Sequence, residues 1–354
     1  MTESVYSAKP EDGKELSRIL ESSTNNGLVD LIYTRRPDAY ESYMKEPGEP
    51  RVFVVRKDGR IITTCAELVR DVYICGKESK AAYICGLKKD HDYTGSAGIS
   101  AKLVRDFQRD DIDFYYFGVM SDNSSAKDMF EKKMSMLSIN KVMTFRTYIL
   151  NPNVRIKAHK HSYTFRQATK DDLPALLDYL NKEGSKKDLF PVIKSPDSFH
   201  NLHTEDFYML MKGSEILSCA ALWNSTDYKQ YVVKKYSRLA KIARIANPLV
   251  SALGYVKLPK ENIPLDFPTL SFFVTKDENP DNYFIMLNEI RKEIHKQYGI
   301  YAFDLPDGHF ANEALAKLPK ICFRTTMYSI LFPWSGQKYR MPDPDNISVE
   351  RGLL

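Results

Sequence analysis

Residues 81–104, AAYICGLKKDHDYTGSAGISAKLV, constrain the fold more than any other stretch of this chain. Ala81–Leu87 is an apolar run without charge and reads as a buried strand. Lys88–Ala97 is a polar loop ending in small residues. A helix opens near Gly98–Ser100 and brings Ile99, Leu103, Val104 and Phe107 to roughly one face. Small residues at a strand-to-helix turn leave backbone N–H groups uncovered. With the helix dipole they make a seat for phosphate oxygens. A phosphorylated cofactor is the functional reading. Glycines that end strands and open helices for purely structural reasons are the alternative.

The rest of the composition narrows the setting. At 354 residues the chain is long enough for two domains, each with its own core. With 27% charged and 12% aromatic residues it is an ordered globular protein. A net charge of +5 is too mild to demand nucleic acid and suits a small anionic ligand. The five cysteines, at 65, 75, 85, 219 and 322, form no CxxC pair and no metal spacing, so we expect buried, reduced thiols and no metal. The first residues, MTESVYSAKPEDGKEL, lack the apolar centre of a signal peptide. No uncharged run approaches the ~20 residues of a membrane span. The expectation is a cytoplasmic protein.

The chain also repeats itself. Tyr6-Ser-Ala-Lys-Pro-Glu-Asp12 and Phe165-Arg-Gln-Ala-Thr-Lys-Asp-Asp172 superpose at an offset of 160: Ala8 on Ala168, Asp12 on Asp172, Leu16 on Leu176, Leu20 on Leu180. A strand, an alanine turn, an acidic helix start and a leucine face occur twice, at the head of each half. Acidic first turns favour the helix dipole in any protein, but the shared position points to duplication. Between the heads we expect a helix at 38–46, strands at 51–56 and 60–74 joined by an Asp58-Gly59 hairpin turn, the strand at 81–87, and an aromatic strand at 112–120. Ser121-Asp122-Asn123 caps a short helix, and one or two strands close the half at 138–150. The second half offers a helix to Lys182, strands at 206–212 and 216–224, and a basic helix over 229–246. A strand at 269–274, helices at 283–298 and 312–318, and strands at 300–305 and 321–332 complete it. Residues 335–354 read as a tail or a wrapped arm, with a disordered end as the default.

This order of elements resembles the GNAT superfamily of acyl-CoA-dependent N-acyltransferases. Three stretches carry the resemblance. Both halves echo an opening x-R-x-A-x-x-x-D. Gly98-Ile-Ser-Ala-Lys-Leu103-Val104 is similar to the end of the cofactor loop. Val119-Met-Ser-Asp-Asn123-Ser-Ser-Ala126-Lys-Asp-Met-Phe130-Glu-Lys132 is similar to the strand and helix that follow it. The likeness covers about residues 3–150, and more faintly 163–332. It implies an α/β (α+β) fold: two tandem GNAT-like domains, each a mixed, mainly antiparallel central sheet flanked by helices. The boundaries expected are 1–152 for an acyl-CoA-binding domain, 153–162 for a linker, 163–334 for a degenerate second copy and 335–354 for the tail.

The resemblance also implies a site. The central strand splays from its neighbour, and Ile84, Cys85, Gly86, Leu87 and Lys88 would pair with the cofactor's amides. Thr94, Gly95, Ser96, Ala97, Gly98, Ile99 and Ser100 would hold its pyrophosphate, with Asn123 and Phe130 at the thioester end. Counting back from Gly98 puts Gly95 at the family's usual Arg or Gln position. Counting from the strand makes Gly95 the first motif glycine, Ala97 the second, and Asp92 the Arg position. Both registers stand. Phe130 occupies the place of the family's tyrosine and cannot donate a proton. Glu67 and His91 are the candidate proton acceptors. Their plain alternatives are a carboxylate on the solvent side of a pleat and a solvated loop histidine. The loop at 275–281 has no glycine and carries Asp277, Glu278 and Asp281, which repel a pyrophosphate. The implied reaction is transfer of an acyl group, acetyl first, from acetyl-CoA to a small-molecule or peptide amine, the acceptor lying between the halves beside 38–44. Two alternatives remain. One is a tRNA-dependent aminoacyltransferase, suggested by Lys234, Lys235, Arg238, Lys241 and Arg244. The other is a non-catalytic acyl-CoA-binding module, suggested by Phe130.

Overall fold

The computed structural model describes residues 4–22, 29–94, 103–134, 137–238, 240–241, 244–245, 247, 251, 253–336 and 338–354. The first half contains β1 (Ser4–Ser7), α1 (Gly13–Glu21), β2 (Val29–Thr34), α2 (Ala39–Met44), β3 (Glu49–Lys57), β4 (Arg60–Ile74) and β5 (Lys77–Lys89). A helical turn at 103–105, β6 (Phe114–Met120), α3 (Ser124–Asp128) and β7 (Ser138–Leu150) complete it. The second half contains β8 (Thr164–Gln167), α4 (Leu173–Gly184), β9 (Phe207–Lys212), β10 (Glu215–Trp223), β11 (Gln230–Tyr236), β12 (Thr269–Thr275), α5 (Pro280–Gln297), β13 (Tyr301–Pro306), α6 (Ala311–Ala316) and β14 (Ile321–Leu331).

The duplicated heads have the same structure for the same reason. Asp12 accepts the Lys9 N–H at 2.9 Å and Asp172 accepts the Thr169 N–H at 2.8 Å, each satisfying an orphan donor at a helix start. Leu16, Leu20, Leu176 and Leu180 are all buried beneath. The clamping guanidinium differs. Arg166 grips Asp172 from the adjacent strand. Tyr6 stands at the matching position of the first head, and Arg56 reaches across from β3 to hold Asp12 instead.

Among the described residues, twelve strands form one continuous sheet in the order β1-β3-β4-β5-β6-β14-β7-β13-β12-β10-β9-β8. The halves are therefore interlocked. β14, the last strand of the second half, lies between β6 and β7 of the first, and β7 lies between β14 and β13. Each half supplies the strand that completes the other. In the first half α1 and α2 cover one face over Leu16, Ile19, Val54 and Ala66. Residues 103–107 and the region around Phe130 cover the other, over Cys65, Ile84 and Phe117. In the second half α4 covers one face, and α5 and α6 the other. Asp58 and Gly59 make the expected hairpin turn, both at positive φ. No helix among the described residues is long and apolar enough to cross a membrane.

Two expectations are corrected. The basic helix over 229–246 is not one element. Gln230–Tyr236 is a strand, β11, antiparallel to β2, itself unforeseen, in a two-stranded sheet joining the halves. Helical backbone is described only at positions within 238–251. Tyr231, Val232, Val233 and Tyr236 suit a pleated surface better than a helix, so Lys234 does not share a helical face with Arg238 and Arg244. The end of the chain is a packed arm, not a loose tail. Ile347 and Leu353 are buried, and Gly352 donates its N–H to Ser271 Oγ at 3.1 Å.

Candidate functional site

The central feature of the first half is a split between parallel strands. β5 pairs with β6 only at Ala81–Phe114, Ala82–Tyr115 and Tyr83–Tyr116. Past that point β6 follows β14 on its other edge, and among the described residues β5 keeps only β4. Among the described residues, 84–88 thus pair along one backbone edge only, and the polar groups of the other need partners.

The side chains around this edge are set by the pleat. Ile84 points into the core, and Leu87 packs against the same cluster. Cys85 lies on the opposite face among the α1–α2 contacts, and burial pushes its thiol up to about 11. Gly86 has φ +61°, and a Cβ there would stand 2.1 Å from Tyr43 Oη. Only glycine allows this backbone and that tyrosine together. Lys88 is half-buried, and burial lowers its pKa. Thr94 is exposed. Gly95, Ser96, Ala97, Gly98, Ile99 and Ser100, the expected pyrophosphate loop, lie outside the described residues. Asn123 caps α3 by accepting the Ala126 N–H at 3.0 Å. Phe130 packs at a tilt against Phe117, their ring centroids 4.3 Å apart.

The two candidate proton acceptors are not brought together. Glu67 is fully buried on the face shared with Cys65 and Val69, away from Cys85 and Tyr43. Arg51 donates to one of its oxygens at 2.9 Å. Burial raises its pKa to about 7, with Arg51 and Arg109 opposing. His91 is exposed just past β5, its Nδ1 3.4 Å from Asp92. The neighbouring Asp90 is held by Arg18 at 2.7 Å.

On the α1–α2 side lies a buried ionic cluster that the sequence did not disclose. Arg35 lies 4.0 Å over the Tyr43 ring and pairs with Glu46. Lys229, from the second half, stands 3.4 Å from Glu46 and donates to the Gly352 and Leu354 oxygens at 3.2 and 3.0 Å. Burial opposes the Glu46 charge, yet Lys229, Arg35 and Arg70 together hold its pKa at about 2. Burial pushes Lys229 down to about 8, with Glu46 opposing. Positions 35, 46, 229 and 354 share no motif. The expected acceptor border at 38–44, which contains Tyr43, and the wrapped-arm reading of 335–354 pointed toward this place.

The second half repeats the split. β12 and β13 pair only at Thr269–Ala302. The loop after β12 carries Asp277 and Glu278, which pair with Lys186 and Lys187.

Two lobes with paired splits in an interlocked sheet define a class, the GNAT fold in its tandem, N-myristoyltransferase-like form. Saccharomyces cerevisiae N-myristoyltransferase with bound myristoyl-CoA superposes with a TM-score of 0.58 at 9% identity, over 98% of this chain and 89% of that one. A GCN5-related N-acetyltransferase from Anabaena variabilis superposes with a TM-score of 0.54 at 10% identity, over 94% and 73%. A GCN5-related glucosamine N-acetyltransferase region in a fungal multi-domain GH3 β-N-acetylglucosaminidase gives 0.59 at 11% identity, over 93% of this chain and 38% of that one. At such identities the likeness is one of fold. No family model and no curated protein sequence matches the chain.

Proposed function

We propose that this protein is an acyl-CoA-dependent N-acyltransferase whose first half, residues 1–152, holds the acyl-CoA and whose acceptor lies between the halves. The observation that carries this reading is the inner edge of β5 at 84–88, which no strand among the described residues pairs. An extended chain bearing amides matches such an edge as a strand would. Ile84, Cys85, Gly86, Leu87 and Lys88 would hold the pantetheine, residues 94–100 the pyrophosphate, and Asn123 and Phe130 would border the thioester. The thioester supplies an activated acyl group, and we take acetyl as the first candidate. The solved N-myristoyltransferase holds a much longer acyl chain, so chain length belongs in the test.

Attack by an amine requires the amine to be neutral. Glu67 and His91 remain our proposals for taking its proton. Glu67 has a proton affinity near neutrality but lies on the far face with Arg51 across it. His91 opens to water at the end of β5. Either would act through water. Phe130 has no acidic hydrogen, and its ring packs into the core. This favours one second reading, an acyl-CoA-binding module without turnover.

The test is a panel of acyl-CoA thioesters, from two to sixteen carbons, against a panel of amines, with thiol release as the readout. Multiple turnover with one amine class and one chain length is expected. Tight binding of a thioester with no thiol released by any amine supports the binding module. If CoA thioesters protect no backbone amide of β5 from hydrogen exchange, the site assignment fails.

A further inference from the structure

Ile245 and Leu253 are the two most exposed large hydrophobic side chains among the described residues, at 83% and 74%. Both fall in one stretch, 229–260, which carries eight lysines and arginines and no aspartate or glutamate. Lys229 is buried at Glu46, but Lys234, Lys235, Arg238, Lys241, Lys257 and Lys260 are exposed. Glu261, just past the stretch, lies 3.8 Å from Lys241.

The structure holds this region in place from behind. Arg238, Lys241 and Ile245 fall at i, i+3 and i+7, the spacing of one helical face, and all three are exposed. Asn247 is buried. It donates to the Val256 oxygen at 3.0 Å and accepts the Leu258 N–H at 2.7 Å, which ties the helical positions to the chain that follows. Between them stands a turn. Asn151 donates to the Ser251 and Tyr255 oxygens at 3.2 and 2.9 Å. Gly254, at φ +94°, lies so close to Val154 that a Cβ would stand 2.8 Å from its Cγ2. The turn so anchored leaves Leu253 and Tyr255 outward. Arg155 and Lys157 follow Val154, are exposed, and bring two more cations to the turn.

A fixed aliphatic side chain in water gains nothing from its exposure. Leucine, isoleucine and tyrosine set among lysines and arginines suit the boundary between headgroups and acyl chains of an anionic bilayer. Single-stranded nucleic acid would call for aromatic platforms under its bases, and the two most exposed apolar groups here are aliphatic.

We propose that this face, presented by Arg238, Lys241, Ile245 and the Leu253–Gly254–Tyr255 turn, docks on an anionic phospholipid surface. Ile245, Leu253 and Tyr255 enter the headgroup boundary, and the cations meet the lipid phosphates. The docking does not depend on the acyltransferase reading.

The experiment is cosedimentation of the full chain with phosphatidylcholine vesicles, with and without about one-third phosphatidylglycerol. The anionic vesicles should bind at least tenfold more tightly, and added salt should weaken them. Ile245→Ser combined with Leu253→Ser should weaken that binding at least fivefold and leave the urea unfolding midpoint unchanged, since both side chains face water. Arg238→Gln combined with Lys257→Gln should weaken it and flatten its salt dependence. The contrast between the two vesicles is read on the unmodified chain and needs no variant. Equal binding to both vesicles, or binding to neither, overturns the proposal. Full affinity in the double serine variant also overturns it, leaving charge adhesion alone. So does tighter binding to single-stranded RNA that the serine variant does not change, which would give the face to nucleic acid.

Discussion

Gly86 holds the split in β5 against α2. It combines φ +61° with a phenol oxygen where a Cβ would sit. Gly86→Ala should cost about 2–4 kcal/mol, from left-handed backbone strain and overpacking, measured by urea unfolding. Tyr43 Oη is buried without a hydrogen-bond partner among the described residues. Adding Tyr43→Phe should therefore recover the packing part and leave the backbone part. Glu67 makes a second residue-level prediction. Its carboxyl binds a proton more tightly folded, at about 7, than at the ordinary 4.5. Its stabilising contribution is then full below pH 4.5 and is lost as pH rises through 7. That amounts to about 3 kcal/mol across the interval. Glu67→Gln should flatten this part of the stability profile, read from urea unfolding at pH 4.5 to 8. If Glu67 also takes the amine's proton, the same variant should remove the acid limb of kcat/KM.

At the scale of elements, the arm at 339–354 and the β2–β11 pair decide how the halves meet. Gly352 passes so close to Trp223 that a Cβ would stand 2.2 Å from Cε3. Gly352→Ala should dislodge the arm, with a loss of about 1–3 kcal/mol. Carboxypeptidase should then digest the arm far faster than in the unmodified chain. Lys229 would lose the Gly352 and Leu354 oxygens, and Phe272 N–H would lose Glu350. The β2–β11 pair also shows where sequence reading fails. The residues of 229–236 satisfy a helical stripe when numbered and a pleat when paired, and only the partner strand settles which. β2 lies far away in sequence and carries no turn signal that announces it.

For the whole molecule, the exchange of β7 and β14 has a mechanical consequence. Residues 1–162 alone lack the strand that fills the slot beside β6, and residues 163–354 alone lack the strand beside β13. Each fragment would leave a long sheet edge open. The full chain should unfold in one cooperative transition by heat and denaturant. Fragments expressed apart should aggregate or stay partly folded, and co-expression should restore a soluble pair. Two separate transitions in the intact chain would show that the interlock contributes little.

What the residues determined alone is the local order. The duplicated heads, the Asp58-Gly59 turn, the Asn123 cap and the core strand at 81–87 are each specified by contacts a few residues apart, and each is legible without a structure. The tertiary structure alone decided what lies between the halves: the exchanged strands and the buried Arg35–Glu46–Lys229 cluster. These depend on pairs separated by tens to hundreds of positions, for which a sequence carries no spacing. A buried ion pair or strand exchange is chosen by which surfaces meet once the local pieces exist, and their meeting is a property of the packed chain.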